Sequence, residues 1–208
     1  MAELEIKDMI SDSKLAEIKQ KDSKPLFKVF AIGHEGEAKG FMLKVGNIVK
    51  KWFQSAIKKL HEKVQMGLKM FHGHGKDNET DNRIPIAEVV GKKLKEIDNK
   101  LTSMVACWIY PEFKNLPLDV ASIEADILID ENENKEYIVS DVEAVTAIAL
   151  GNKNVETPGF AGATLLGQLQ AFAQDNKISL ESGFKISDKI HLGFEIKSGL
   201  NKLTLFKD

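Results

Sequence analysis

Leu118-Asp119-Val120-Ala121-Ser122-Ile123-Glu124-Ala125 decides how the chain is read. In a strand, successive side chains point to opposite faces. Val120, Ser122 and Glu124 then share one face, and Ala121, Ile123 and Ala125 the other. The second face is apolar and suits a core. The first carries two polar groups that a core strand would not need. A polar turn follows, Asp130-Glu131-Asn132-Glu133-Asn134-Lys135, and Tyr137 to Leu150 returns as the partner strand. Upstream, Leu68, Met70 and His72 alternate with Lys69, Phe71 and Gly73, so His72 and His74 fall on one strand face. Three strand-like runs thus carry reactive or ionisable groups: His72 and His74, then Ser122, then Asp141 and Glu143.

Around these runs the sequence reads as mixed α+β. Ile84 to Ile97 and Leu101 to Tyr110 form a hairpin about Asp98-Asn99-Lys100, with a helix over Glu88 to Ile97 as the rival reading. Pro111 ends the second strand. Leu26 to Gly33 is a strand, followed by a glycine-bearing loop from Gly33 to Gly40 in which His34 is exposed. Asn47 caps a helix over about 48–64, because Ile48, Val49, Trp52, Phe53, Ala56, Ile57, Leu60 and Val64 recur at three- and four-residue steps. His61, near its C-terminal end, is then a solvated histidine that favours the helix dipole. Lys76 to Arg83 is a polar, mobile loop beside the histidines. Ala161 to Ala173 reads as a helix with Leu165, Leu166, Leu169, Phe172 and Ala173 on its apolar face. Residues 1–25 form an arm or a short amphipathic helix that ends at Asp22-Ser23-Lys24-Pro25. The main domain spans 26–175, and 176–208 is an extension of short strands or a peripheral tail.

Composition excludes several classes. The chain has 208 residues, 43% hydrophobic and 29% charged, which fits a folded globular domain. The formal charge of -2 gives no reason to expect nucleic acid, and Arg83 is the only arginine. No apolar run approaches the roughly 20 residues that cross a bilayer, and the N-terminus lacks the pattern of a secretory signal. Cys107 is the sole cysteine, so no intrachain disulfide forms, and its apolar setting reads as a buried structural thiol rather than a nucleophile.

A serine hydroxyl needs an adjacent base, and that base needs a partner that fixes its tautomer. Histidine suits the base role, since its unperturbed pKa is about 6.5. Ser122, one of His72 and His74, and Asp141 or Glu143 therefore form a candidate serine-peptidase set. Ser122, Asp141 and Glu143 each have a plainer reading as ordinary solvated strand residues. His72 and His74 also suit a metal pair, but no third clear ligand or cysteine cluster accompanies them, and the reading calls for neither metal nor cofactor. No Gly-x-Ser-x-Gly elbow, phosphate loop or dinucleotide fingerprint is present.

Order and spacing add a resemblance. Met70-Phe71-His72-Gly73-His74, then Pro85-Ile86-Ala87-Glu88-Val89, then Ala121-Ser122-Ile123-Glu124-Ala125, then Glu143 to Leu150 with Pro158 beyond, resemble the motifs of tailed-phage prohead proteases. That family is similar in fold to the herpesvirus maturational proteases. The resemblance covers roughly residues 26–160. It implies a closed β-barrel core flanked by helices, with Ser122 as nucleophile and His74 as general base. His72 would be the second choice or an orienting neighbour, and Asp141 or Glu143 the third member. It further implies cleavage of major capsid and scaffold proteins inside the immature head in the host cytoplasm, with the chain itself as a further candidate substrate. A homo-oligomer follows by analogy. Glu124 stands where the family commonly has glycine, and the arginines that help the herpesvirus enzymes bind the oxyanion have no counterpart. Backbone N–H groups would then supply that hole. The alternative is a non-catalytic assembly protein that keeps the protease fold.

Overall fold

The computed structural model describes residues 2–5, 9–42, 46–75, 83–154, 158–160, 165–174, 177–180, 192–196 and 202–207. The elements run β1 (Ala2–Glu5), α1 (Asp12–Lys21), β2 (Leu26–His34), β3 (Gly36–Met42), β4 (Gly46–Trp52), α2 (Gln54–Lys63) and β5 (Lys69–His72). They continue as β6 (Pro85–Ile97), β7 (Lys100–Ile109), β8 (Val120–Glu131) and β9 (Tyr137–Gly151). Last come β10 (Leu165–Gln174), β11 (Lys177–Leu180), β12 (Leu192–Ile196) and β13 (Lys202–Lys207). The chain is α+β and mostly strands. One sheet, ordered β11-β10-β2-β7-β6-β5-β9-β4-β3 with β8 on β9, curls into a half barrel; β1, β13 and β12 form a second, small sheet.

The hairpin reading of β6 and β7 holds. Asp98 and Asn99 both take positive φ, 52° and 59°, the conformation of a two-residue primed turn whose twist matches its strands. The strands at 26–33, 118–129 and 137–150 are also present, and the glycines at 33–40 serve differently than expected. Only Glu35 interrupts the chain there, and Gly36 to Met42 is β3, paired along its length with β4. His34 is consequently buried, its Nδ1 2.7 Å from the Glu35 carbonyl oxygen and its ring edge-on to Phe160.

Two helix expectations change. The helix expected over 48–64 begins only at Gln54, since Ile48 to Trp52 belongs to β4 and pairs with β3 and β9. Asn47 is therefore not its cap; Phe53 is, with no side-chain hydrogen bond. The second, over 161–173, is the strand β10 from Leu165 onward, paired with β2 and β11. Residues 161–164 lie outside the described residues, as do 76–82, the polar loop.

Ala56, Ile57 and Leu60 of α2 bury into the concave face of the half barrel, where Ile32, Met70, Val89, Val105, Val142, Val145 and Ile148 meet them. Lys92 Nζ closes the helix by donating to the carbonyls of His61, Glu62 and Val64, at 2.8, 3.2 and 2.8 Å. On the other face, α1 starts at Ser11, whose Oγ accepts from the Lys14 N–H, and it buries Leu15 and Ile18. It is tied down by the Lys14–Glu88 ion pair at 3.3 Å and by Asp22, which accepts from Trp108 Nε1 at 3.1 Å. Gly91 lets the backbone at Met9 cross the sheet, because a Cβ there would run into the Met9 carbonyl.

β9 contributes to the curl. Its register against β8 skips Ser140, Glu143 and Thr146, three extra residues spaced by three. Bulges bend a strand and raise its twist. Val139, Val142 and Val145 thereby all face the core, while the three skipped residues are exposed. Asp141 and Glu143 do not share one face, as simple alternation predicts, because a bulge falls between them.

Cys107 is fully buried on β7 opposite Lys28 of β2, and its Sγ donates to the Lys28 carbonyl at 3.3 Å. Burial pushes its thiol up to about 12, as the structural reading expects. Lys28 is itself buried, and its Nζ donates to the Leu118 carbonyl at 3.0 Å, joining β2 to the start of β8. Desolvation holds that ammonium below its ordinary pKa.

Candidate functional site

β9 lies between β5 and β8, so the three chemistry-bearing runs are neighbours. Phe71 pairs with Ala149, and Ala149 with Ser122. At about 4.8 Å per strand, Ser122 stands roughly 10 Å from Phe71 across one intervening strand. The rows alternate in direction. Met70 and Ile148 are core residues and Ile123 packs against them, so the Phe71–Ala149–Ser122 row faces outward. His72 sits in the next row, with Leu150 and Ala121, which are core residues. It is exposed only because the strand ends there. His72 and Ser122 therefore lie on opposite faces.

Gly73 separates the histidines. Its φ of 75° breaks the strand, a conformation glycine adopts without penalty, and its N–H donates to the Leu150 carbonyl at 3.0 Å. The chain then doubles back over the outer face. His74 Nδ1 meets Glu124 Oε1 at 3.2 Å, and the Gly75 N–H donates to the same oxygen at 3.1 Å. His72 and His74 thus do not share a strand face. Among the described residues no histidine is hydrogen-bonded to Ser122, which is half-buried two residues along from Glu124.

Arg83 organises the cluster. Its Nη1 donates to Glu124 Oε1 at 2.8 Å and to the Gly73 carbonyl at 2.6 Å; its Nη2 donates to Glu124 Oε2 at 2.9 Å. The guanidinium also lies 4.4 Å over the Phe71 ring. Gly75 allows this approach, since a Cβ there would sit 3.0 Å from Nη2. Burial alone would raise the Glu124 pKa, but bonds from His74, Arg83 and Gly75 and the arginine charge outweigh it and hold the carboxyl at about 2. Glu124 is therefore fully ionised at neutral pH. Sequence reasoning treated Glu124 as a departure from the resembled motif and noted Arg83 only as the sole arginine, at the end of a polar loop. The available signal was a carboxylate in an apolar strand, which needs a partner.

The expected acids lie elsewhere. Asp141 pairs with Leu128, six residues from Ser122 along β8 and so roughly 20 Å away. Its carboxylate bonds Lys59 Nζ at 3.0 Å and its neighbour's N–H at 2.7 Å, which lowers its pKa. Glu143 is an exposed bulge residue opposite Asp126 and Ile127. Neither bonds a histidine among the described residues. A different histidine–serine contact exists: His61 Nδ1 lies 3.1 Å from Ser103 Oγ. His61 is half-buried rather than solvated, and burial, followed by the Lys92 charge, lowers its pKa. Ser103 is fully enclosed, so no peptide reaches it.

Among the described residues, no group of three or more histidine, cysteine, aspartate or glutamate side chains could hold a metal ion. No helix among them is long and apolar enough to cross a membrane. No protein-family model matches the chain, and neither a curated protein nor a solved structure is significantly similar to it.

Proposed function

We propose that the chain is a serine endopeptidase of phage head maturation, acting on major capsid and scaffold proteins without a cofactor. Ser122 is the nucleophile and His74 the base. The observation that carries this reading is the order β5-β9-β8, with His74 turned by Gly73 onto the face that bears Ser122. His72 faces the other side, which favours His74 for the base. In the reaction, the Ser122 hydroxyl proton passes to His74 Nε2 as Oγ attacks the scissile carbonyl carbon. The proton then leaves on the amine, and water hydrolyses the acyl ester. A closed barrel of the herpesvirus-protease type is supported by the way the start of β8 meets β2 through Lys28. Substrate identity rests on the motif resemblance.

Co-expression with the capsid and scaffold proteins of the same source, read by intact mass, tests the proposal. Trimming by wild type but not by Ser122→Ala is expected; trimming by both variants sinks the assignment. One observation favours a second reading, a non-catalytic assembly protein: no histidine bonds Ser122 among the described residues. Catalytic contacts are often long in the absence of substrate. A fluorophosphonate probe separates the two, since only an activated serine is labelled.

A further inference from the structure

We propose that Glu124 is the carboxylate that positions the His74 base, and that Arg83 holds Glu124 in place for that task. This rests on the peptidase reading above and replaces Asp141 and Glu143 as candidates for the third member.

The contact is on the right nitrogen. A carboxylate only accepts, so the 3.2 Å bond to Glu124 Oε1 makes Nδ1 the protonated, donating nitrogen of neutral His74. Nε2 then carries the lone pair that a serine proton requires. The spacing also fits. Ser122 and Glu124 are two residues apart on one face, roughly 7 Å. An imidazole with a hydrogen bond on each nitrogen spans roughly 8 Å between its partners. One strand can therefore carry both the nucleophile and the acid, with room for the His74 imidazole, already on Glu124, to lie between them. Such a pair needs no inter-strand register to align acid with serine.

Arg83 makes the carboxylate a fixed fixture. Its two nitrogens hold both oxygens, at 2.8 and 2.9 Å, and the Gly75 N–H adds a third bond. The carboxylate cannot turn away from Nδ1 without breaking these. The guanidinium also lowers the basicity of Glu124, so that it orients the imidazole and stabilises its cation without taking its proton, as the acid does in serine triads. Asp141 is committed to Lys59 and to the Val142 N–H.

The test uses the full chain and a fluorophosphonate probe, reading the rate at which Ser122 is labelled. Glu124→Gln is expected to slow labelling about 100-fold or more. Glu124→Asp, which keeps the charge, is expected to recover part of that rate. Because Glu124→Gln also loosens the Arg83 contact, a second measurement needs no variant. The nitrogen chemical shifts of wild-type His74 should report the Nδ1–H tautomer. Wild-type labelling undiminished in Glu124→Gln, or an Nε2–H tautomer, overturns the assignment and leaves the peptidase standing. Absence of any labelling in the wild type overturns both.

Discussion

Glu124→Gln also has a measurable thermodynamic signature. Glutamine stands in for the protonated carboxyl, so the variant reads how much the folded protein prefers the ionised form. The Glu124 pKa falls from 4.5 to about 2. A drop of about 2.5 units at ~1.4 kcal/mol each sets a ceiling of roughly 3 kcal/mol. The Glu124 side chain is 22% exposed and that of His74 51%, so solvent screening reduces this to about 2 kcal/mol. For a chain this long, that corresponds to a melting point lower by roughly 4–8 °C near neutral pH. A depressed carboxylate contributes its full stability above its unfolded pKa and loses it as pH falls toward its folded pKa. The window therefore runs from 4.5 down to about 2. At about pH 3.5 the unfolded carboxyl is mostly protonated and the folded one is not, so about 1 kcal/mol of the gap between wild type and variant should close. Urea unfolding followed by tryptophan fluorescence, near neutral pH and near pH 3.5, gives both gaps. A gap that stays constant across that range refutes the argument, because the stabilisation would then not be ionic.

Three further outcomes follow from the same geometry. Gly91→Ala should push the Met9 segment off the sheet, costing about 1–3 kcal/mol and exposing residues 9–25 to limited proteolysis. At the hairpin, Asn99→Gly should stabilise by a few tenths of a kcal/mol, whereas Asp98→Val, with a β-branched side chain at positive φ, should cost about 1–2 kcal/mol in urea titrations. His61 has its folded pKa below the ordinary 6.5. Its neutral form is the one the fold prefers, so stability is full above 6.5 and falls as pH drops from there toward the lowered folded value. His61→Gln should flatten that part of the stability curve.

How much was legible depended on whether the local pattern and the tertiary partner agreed. The β6–β7 hairpin was readable because Asp98-Asn99 is itself the turn signal and alternation on both sides matches it. In β4, Lys50 is buried between Ile48 and Trp52, so the strand face did not read as apolar and a helical spacing took its place. Leu165, Leu166, Leu169, Phe172 and Ala173 do fit a helix, yet that segment is a strand because the edge of β2 offers it a ladder; a propensity read locally does not register such an edge. In β9 the three bulges give a period of three, which is neither strand nor helix, and this misplaced Asp141 and Glu143 on one face. At the candidate site, Ser122 and the two histidines were visible as polar residues in apolar runs. The Glu124–Arg83 bond was not, since it joins residues 41 apart in sequence and depends on the reversal at Gly73.

Cys107 has a practical consequence. It is the only thiol, it sits on a strand paired on both sides, and burial keeps it protonated with its pKa at about 12. A thiol reagent can reach it only when the strands around it separate. In excess reagent, modification becomes a stopwatch for the opening of the sheet's centre, set in the native sequence without any engineered label. When opening and closing are fast relative to the reagent, the measured rate gives the free energy of that opening; when closing is slow, it gives the opening rate itself.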